Sequence, residues 1–388
     1  MRDGIVCGIV FDVGKCGESR MKFSVITVCF NAAKTIEKTI MSVLNQGYRD
    51  LEYIIIDGNS TDGTQNIIRR YETKIDKWVS EPDRGIYDAM NKGVRLATGD
   101  VFAFLNADDW YEDHIISKIN QYFEREEIDI VAGSEYFIID EKPVAIISSK
   151  YDLDKPYLSN TCNQPSLFIK KKVFDLIGGF NAELKYAADY EFVVRAWKNK
   201  VTVLTINDIC TNFRADGVSN SEALYLSRRE SHEVAQCLLG EEYSADIHNL
   251  YSVKMEKVFY EDIFWNNIKN LSINWIKGCI ADTGYYIWGS GMQGGMCLTV
   301  FERLGVSIEG IVDNSKNKQG KTVGEYRILA PADLKKGIKI CIATREHDAQ
   351  VERQLLEMGY QKEDYIIFSD IVREAVVKQT GQTWKGQI

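Results

Sequence analysis

Three short stretches of this chain carry side chains and spacings that suit chemistry. Asp57 ends the apolar run Leu51–Ile56 and begins the turn Asp57-Gly58-Asn59-Ser60. A carboxylate at a strand end can accept a hydrogen bond from the N–H of a nucleotide base, and the same residue can serve only its own turn. Asp108 and Asp109 close the loop Asn106-Ala107-Asp108-Asp109 after a second apolar run, Val101–Leu105. Carboxylates there suit Mg2+ or Mn2+ bridging two phosphates, and equally a helix cap before Trp110. The third stretch, Gly289-x-Gly291-x-x-Gly294, follows an apolar run and opens a helical pattern, with Asp313 about twenty residues beyond, the layout of a dinucleotide site.

The elements that must position these groups read as α/β. Strand candidates at Phe23–Cys29, Leu51–Ile56, Ile75–Val79 and Val101–Leu105 alternate with helical patterns beginning near Ile36, running from Thr64 to Arg70 and spanning Ile86–Leu96. Such alternation predicts a mostly parallel sheet, which binds ligands at the carboxyl ends of its strands. Asn31, Asp57 and Asn106–Asp109 fall at those ends. Beyond residue 128 the pattern is mixed, with short strands at Ile128–Gly133, Phe137–Ile139 and Ser166–Ile169 and a helix at Ala188–Asn199. Residues 1–20 form an uninformative leader, and Met21 is the expected natural start. The expected divisions are 21–217 for a first domain, 218–282 for a helical connector and 283–388 for a small second α/β domain.

A length of 388 residues implies at least two cores. The net charge of -9 argues against a broad nucleic-acid surface, so an anionic substrate must be gripped locally. Nine cysteines without a C-x-x-C pair fit a reducing cytoplasm. No apolar run reaches the roughly 18 residues that suggest a membrane span. A cytoplasmic protein is expected, with peripheral membrane contact and homo-oligomer formation left open.

Four segments in order, Phe23–Asn31, Ile56–Thr64, Glu81–Gly93 and Phe104–Asp109, resemble the family 2 glycosyltransferases, in the branch found in bacterial exopolysaccharide and O-antigen clusters. The resemblance covers roughly residues 22–215. It implies a GT-A fold and inverting transfer of a sugar from a nucleotide-diphosphate donor, a UDP-sugar first among candidates, to a glycan or lipid-linked hydroxyl. It carries the nucleotide-sugar site onto Thr27, Asn31, Asp57, Asn59, Arg84, Asn91, Asn106 and Ala107. The usual Asp-x-Asp metal motif reads Asn106-Ala107-Asp108 here, so Asp108 is the main ligand expected for Mg2+ or Mn2+, with Asp109 second. An Asp in a Glu-Asp pair is the family's general base, and Ala188-Asp189 matches it with Ala in the Glu position. Asp189 would take the acceptor proton; alternatively it is an acidic residue favoured by a helix N-terminus. Gln164 falls on an acceptor-side segment.

The C-terminal domain resembles small Rossmann-like modules fused to sugar-modifying enzymes, through Ile311–Asn314 and Gly320–Gly324. Gly289, Gly291, Gly294 and Asp313 could therefore form a second nucleotide site, and assembly or regulation is the other use. Two further readings stay open: an NAD-linked sugar oxidoreductase centred on that glycine loop, and a non-catalytic glycan-assembly protein.

Overall fold

The computed structural model describes residues 20–124, 127–149, 163–214, 223–240, 257, 259–261, 263–264, 273–281, 283–344 and 347–383. Residues 1–19 of the expected leader, 1–20, lie outside them. A first sheet holds β1 (Phe23–Cys29), β2 (Leu51–Asp57), β3 (Lys77–Ser80), β4 (Val101–Asn106), β5 (Trp110–Tyr111), β6 (Ile130–Ile139), β7 (Lys142–Ile147), β8 (Leu167–Lys170) and β9 (Val203–Arg214). Its order is β3-β2-β1-β4-β8-β6-β9-β5, with β7 paired to β6. The first four strands are parallel, and the chain then reverses through β8. The two short strands expected at Ile128–Gly133 and Phe137–Ile139 are one, because Ser134 and Glu135 continue the ladder to β9 instead of breaking it.

β1 is buried at every position, as a central parallel strand covered on both faces must be. Phe23 and Val25 pack into the layer that holds the helices Ile36–Leu44 and Ile115–Phe123, while Ile26 and Val28 pack into the layer of Ile86–Leu96 and Ala188–Lys198. The parallel register sets the working edge: Cys29 lies opposite Asp57, Asp57 opposite Ser80, and Val28 opposite Asn106. Four strand ends are thereby brought level.

A second sheet holds β10 (Tyr285–Trp288), β11 (Ile308–Val312), β12 (Thr322–Val323), β13 (Tyr326–Leu329), β14 (Lys339–Ile342) and β15 (Tyr365–Ile367), in the order β12-β13-β11-β10-β14-β15. From β10 the chain winds first one way and then the other, and every pairing except β12–β13 is parallel. Between the sheets run the helix Ala223–Leu239, helical residues around Tyr260 and the helix Ile273–Cys279. The sheets meet where β7 lies against the helix Met292–Leu304. A Cβ on Gly295 would stand 2.8 Å from the Val144 carbonyl oxygen, so only glycine allows this approach. Ile146 N donates to the Ser290 carbonyl (2.9 Å), and Lys318 Nζ donates to the Ile146 carbonyl (2.7 Å).

Candidate active site

At the end of β2, Asp57 is completely buried. Its Oδ2 accepts from Ser60 N (3.0 Å) and from Ser80 Oγ (2.6 Å), while Oδ1 accepts from the Ser60 hydroxyl and, at 3.5 Å, from Cys29 Sγ. A carboxylate has about four lone-pair sites, so all are taken. Asp57 thereby fixes the turn and its neighbours. Thr27 also faces inward. Strand alternation turns it into the same layer as Val25, where it is buried and its hydroxyl lies 3.1 Å from Tyr53 Oη. Asn31 stays at the surface with φ 50° and ties two loops together, its Oδ1 accepting from Thr61 N (2.9 Å) and its N–H donating to Ser60 Oγ (2.7 Å). Asn59 is exposed at the turn with φ 66°.

Two groups that the sequence reading passed over stand at this lip. Phe30, directly after β1, is 63% exposed. Asp83 reaches over Gly58, where an added Cβ would lie 2.5 Å from Asp83 Oδ2 and 3.3 Å from Phe30 Cδ2. Asp83 Oδ1 accepts from Gly85 N (3.0 Å). An aromatic ring and an acidic edge thus flank one glycine, the pairing that suits a flat heterocycle with an N–H donor. A large apolar side chain at the carboxyl end of an otherwise fully buried strand was the available sequence signal. Arg84 is exposed and pairs with Asp88 (3.7 Å) and Glu183 (3.6 Å), which is weak at such a surface position and leaves the side chain able to swing. Asn91 donates to the Phe180 carbonyl (2.8 Å) and accepts from Phe180 N (2.9 Å), closing the turn before the helix of Asp189.

The loop after β4 divides its acids. Asp109 is buried and accepts from Arg214 N (2.9 Å) through Oδ1, while Asn106 Nδ2 donates to Oδ2 (3.4 Å). Burial first, then the charge of Asp108, holds its carboxyl well above the usual range. The backbone of β9 braces this shielded carboxyl. Ala107 is also buried. Asp108 is half-buried, and Asn106 Oδ1 is shut from solvent without a hydrogen-bond donor. Among the described residues no three His, Cys, Asp or Glu side chains cluster to hold a metal. One carboxylate with one amide oxygen nevertheless fits Mg2+ or Mn2+, which commonly take one or two protein oxygens and fill the rest from phosphate and water. The orphaned Asn106 oxygen is the observation that favours this fit.

Asp189 sits in the first turn of the helix Ala188–Lys198. Tyr87, in the first turn of the helix that follows Gly85, places its Oη 3.1 Å from Asp189 Oδ1 and 3.0 Å from the Tyr186 carbonyl. Burial and then the negative charge of Asp189 push the Tyr87 phenol well above its ordinary pKa, so it remains a donor. Glu191 turns aside to pair with Arg195 (2.6 Å). Gln164 is buried and donates to the Phe104 carbonyl (3.0 Å), supporting the strand that delivers Asn106.

In the second sheet, Gly289, Gly291 and Gly294 do form a strand-to-helix turn, since a Cβ on Gly294 would meet the Gly289 carbonyl oxygen at 1.8 Å. Asp313, however, accepts from Ser290 N (3.0 Å), Ser290 Oγ (2.5 Å) and Ser315 N (2.8 Å). Its carboxylate locks its own loops instead of presenting itself to a ribose.

Comparison with known proteins matches two separate stretches of the chain. The family described as "Glycosyl transferase family 2" matches residues 24–189, and that described as "C2185-like, N-terminal" matches residues 284–367. A PGL/p-HBAD biosynthesis glycosyltransferase of Mycobacterium tuberculosis is 32% identical over 187 residues, covering 47% of this chain and 72% of the relative. An uncharacterised glycosyltransferase of Haemophilus influenzae is 33% identical over 190 residues, covering 44% and 58%. Among solved structures, S. aureus TarS aligns at 19% identity and TM-score 0.46, over 66% of this chain and 78% of that one. With β1–β4 and the four motifs at their ends, these relatives show that the chain belongs to glycosyltransferase family 2, with the GT-A fold in its N-terminal half.

Proposed function

We propose that the enzyme is an inverting glycosyltransferase that moves a sugar from a nucleotide-diphosphate donor, a UDP-sugar first among candidates, to a hydroxyl of a glycan or lipid-linked acceptor. The observation that carries this reading is the contact between Tyr87 and Asp189, which ties the acid suited to proton removal to the helix behind the donor-side loop. Phe30 offers the base a stacking face, and Asp83 accepts its N–H. Asp57 keeps the turn beneath them rigid. Asp108, with the Asn106 carbonyl oxygen, would hold Mg2+ or Mn2+. A divalent cation bound there supplies positive charge that offsets the charge developing on the departing diphosphate. Asp189 takes the acceptor proton as the oxygen attacks the anomeric carbon from the face opposite the diphosphate, and a single displacement inverts that centre.

In this reading residues 21–217 are the transferase domain, 218–282 the helical connector and 283–388 an assembly or regulatory domain. We place the enzyme in the cytoplasm, with peripheral membrane contact where the acceptor is lipid-linked; no helix among the described residues is long and apolar enough to cross a bilayer. The NAD-linked alternative is disfavoured by the commitment of Asp313 to Ser290 and Ser315. The test is nucleoside-diphosphate release from a panel of UDP- and GDP-sugars with Mn2+ or Mg2+. Turnover of at least one donor that Asp189→Asn abolishes, with donor binding intact, is the expected result. Absence of turnover across the panel, or full activity of the Asn variant, overturns the reading.

A further inference from the structure

The helix Ala188–Lys198 has no side-chain cap of its own: Ala187 stands at its N-cap position, where a Ser, Thr, Asp or Asn would ordinarily serve. Glu230 instead accepts from the backbone that leads into the helix, the amide of Ala187 at the N-cap included. It lies on the helix Ala223–Leu239, beyond the residues 24–189 that match the transferase family. One carboxylate oxygen accepts from Lys185 N (3.0 Å), and the other accepts from Tyr186 N (2.6 Å) and Ala187 N (2.7 Å). Three consecutive backbone donors converge on one side chain more than forty residues away. A negative charge at a helix N-terminus is also favourably placed against the helix dipole.

The segment so held leads directly to Asp189. Its other side is fixed by Tyr87, which stands 3.0 Å from the Tyr186 carbonyl while touching Asp189. Behind the segment, Ala187, Tyr190 and Val194 pack with Val234, Ala235 and Leu239 of the same connector helix. Apolar packing brings the two helices together, but it does not set the direction of the 185–187 backbone. The carboxylate of Glu230 does, because each N–H must point at it.

We propose that Glu230 is a positioning residue for Asp189, so that the helix after the transferase domain completes the catalytic machinery. This inference rests on the assignment of Asp189 as general base. Glu230→Gln keeps the size and one acceptor oxygen, but places an amide NH2 where a second acceptor stood.

Turnover of the most rapidly hydrolysed panel donor, with its KM, is measured for wild type, Glu230→Gln, Val234→Ala and Asp189→Asn, alongside thermal melting. Expected for Glu230→Gln is a fall in kcat of about ten-fold or more, with donor KM within about two-fold of wild type, the pattern of a lost transition-state interaction. Val234→Ala removes packing from the same helix without touching the 185–187 amides, and it keeps its kcat even where its melting temperature falls as far. Wild-type kcat in Glu230→Gln overturns the proposal. So does an equal loss of kcat in Val234→Ala, which would mark a contribution to stability alone. Asp189→Asn separates the two assignments: if it is inactive while Glu230→Gln is not, only the positioning role fails, and if it turns over normally, both fall.

Discussion

Tyr87 Oη stands 3.1 Å from Asp189 Oδ1, joining two helices that are about a hundred residues apart in the chain. A phenol that burial keeps protonated restrains a carboxylate without neutralising it. A hydrogen bond to a charged group is worth about 1.5–3 kcal/mol. Tyr87→Phe should therefore lower kcat by roughly ten-fold or more while leaving donor affinity near wild type. Steady-state kinetics with a donor-binding titration checks this, and a change confined to donor affinity would contradict it.

The loop after β4 makes a prediction about two adjacent acids. Asp108→Ala should abolish the metal dependence of donor binding. Asp109→Asn should retain it, because the amide oxygen can still accept from Arg214 N. Calorimetric titration of UDP with and without Mn2+ distinguishes them. Loss of the metal response in the Asn variant alone would reverse the assignment.

Gly58 separates Phe30 from Asp83, and a methyl group there would lie 2.5 Å from Asp83 Oδ2. Gly58→Ala should displace the Asp83 carboxylate and weaken nucleotide binding by about five-fold or more, a cost of roughly 1 kcal/mol or above. Equilibrium binding of UDP to the variant is the check, with a melting curve to separate lost affinity from lost fold.

Glu135 lies on β6, buried, with Oε2 lacking a hydrogen-bond partner. Burial pushes its carboxyl up to about 8. The nearby Asp109 and Cys210 both feel its charge and are themselves held above their usual values. In the unfolded chain Glu135 ionises near its ordinary value, so between that pH and about 8 the unfolded state has lost a proton that the folded state retains. The Glu135 contribution to stability is therefore most favourable below this window and declines as pH rises through it. Glu135→Gln should flatten the decline and raise the melting temperature at pH 8 more than at pH 5. An unchanged pH profile in the variant would remove Glu135 as its source.

Local signals carried the parallel half of the first sheet well. Continuous apolar runs at Phe23–Cys29 and Val101–Leu105, each followed by polar turn residues, fall at β1 and β4, and their ends form the site edge. Side-chain direction was less legible. Thr27, Asp57, Asn91 and Gln164 are polar residues at suggestive positions, yet each is turned inward onto a partner supplied by another element. That commitment depends on tertiary pairing, which a linear pattern does not encode. Asp83 and Phe30 emerge only once Gly58 is seen between them. Glu230 was hidden for a related reason: an acceptor delivered from a distant helix leaves no motif at the segment it holds.

β7 pairs with β6 on one side only, and its free edge is met by Ser290 and Lys318 of the second unit. Val144, Ala145 and Ile146 on that strand are buried. Cut away from its C-terminal partner, the transferase half would present a bare, greasy ribbon with unsatisfied amides, the template on which chains stack into aggregates. The appended sheet therefore also shields the strand it covers.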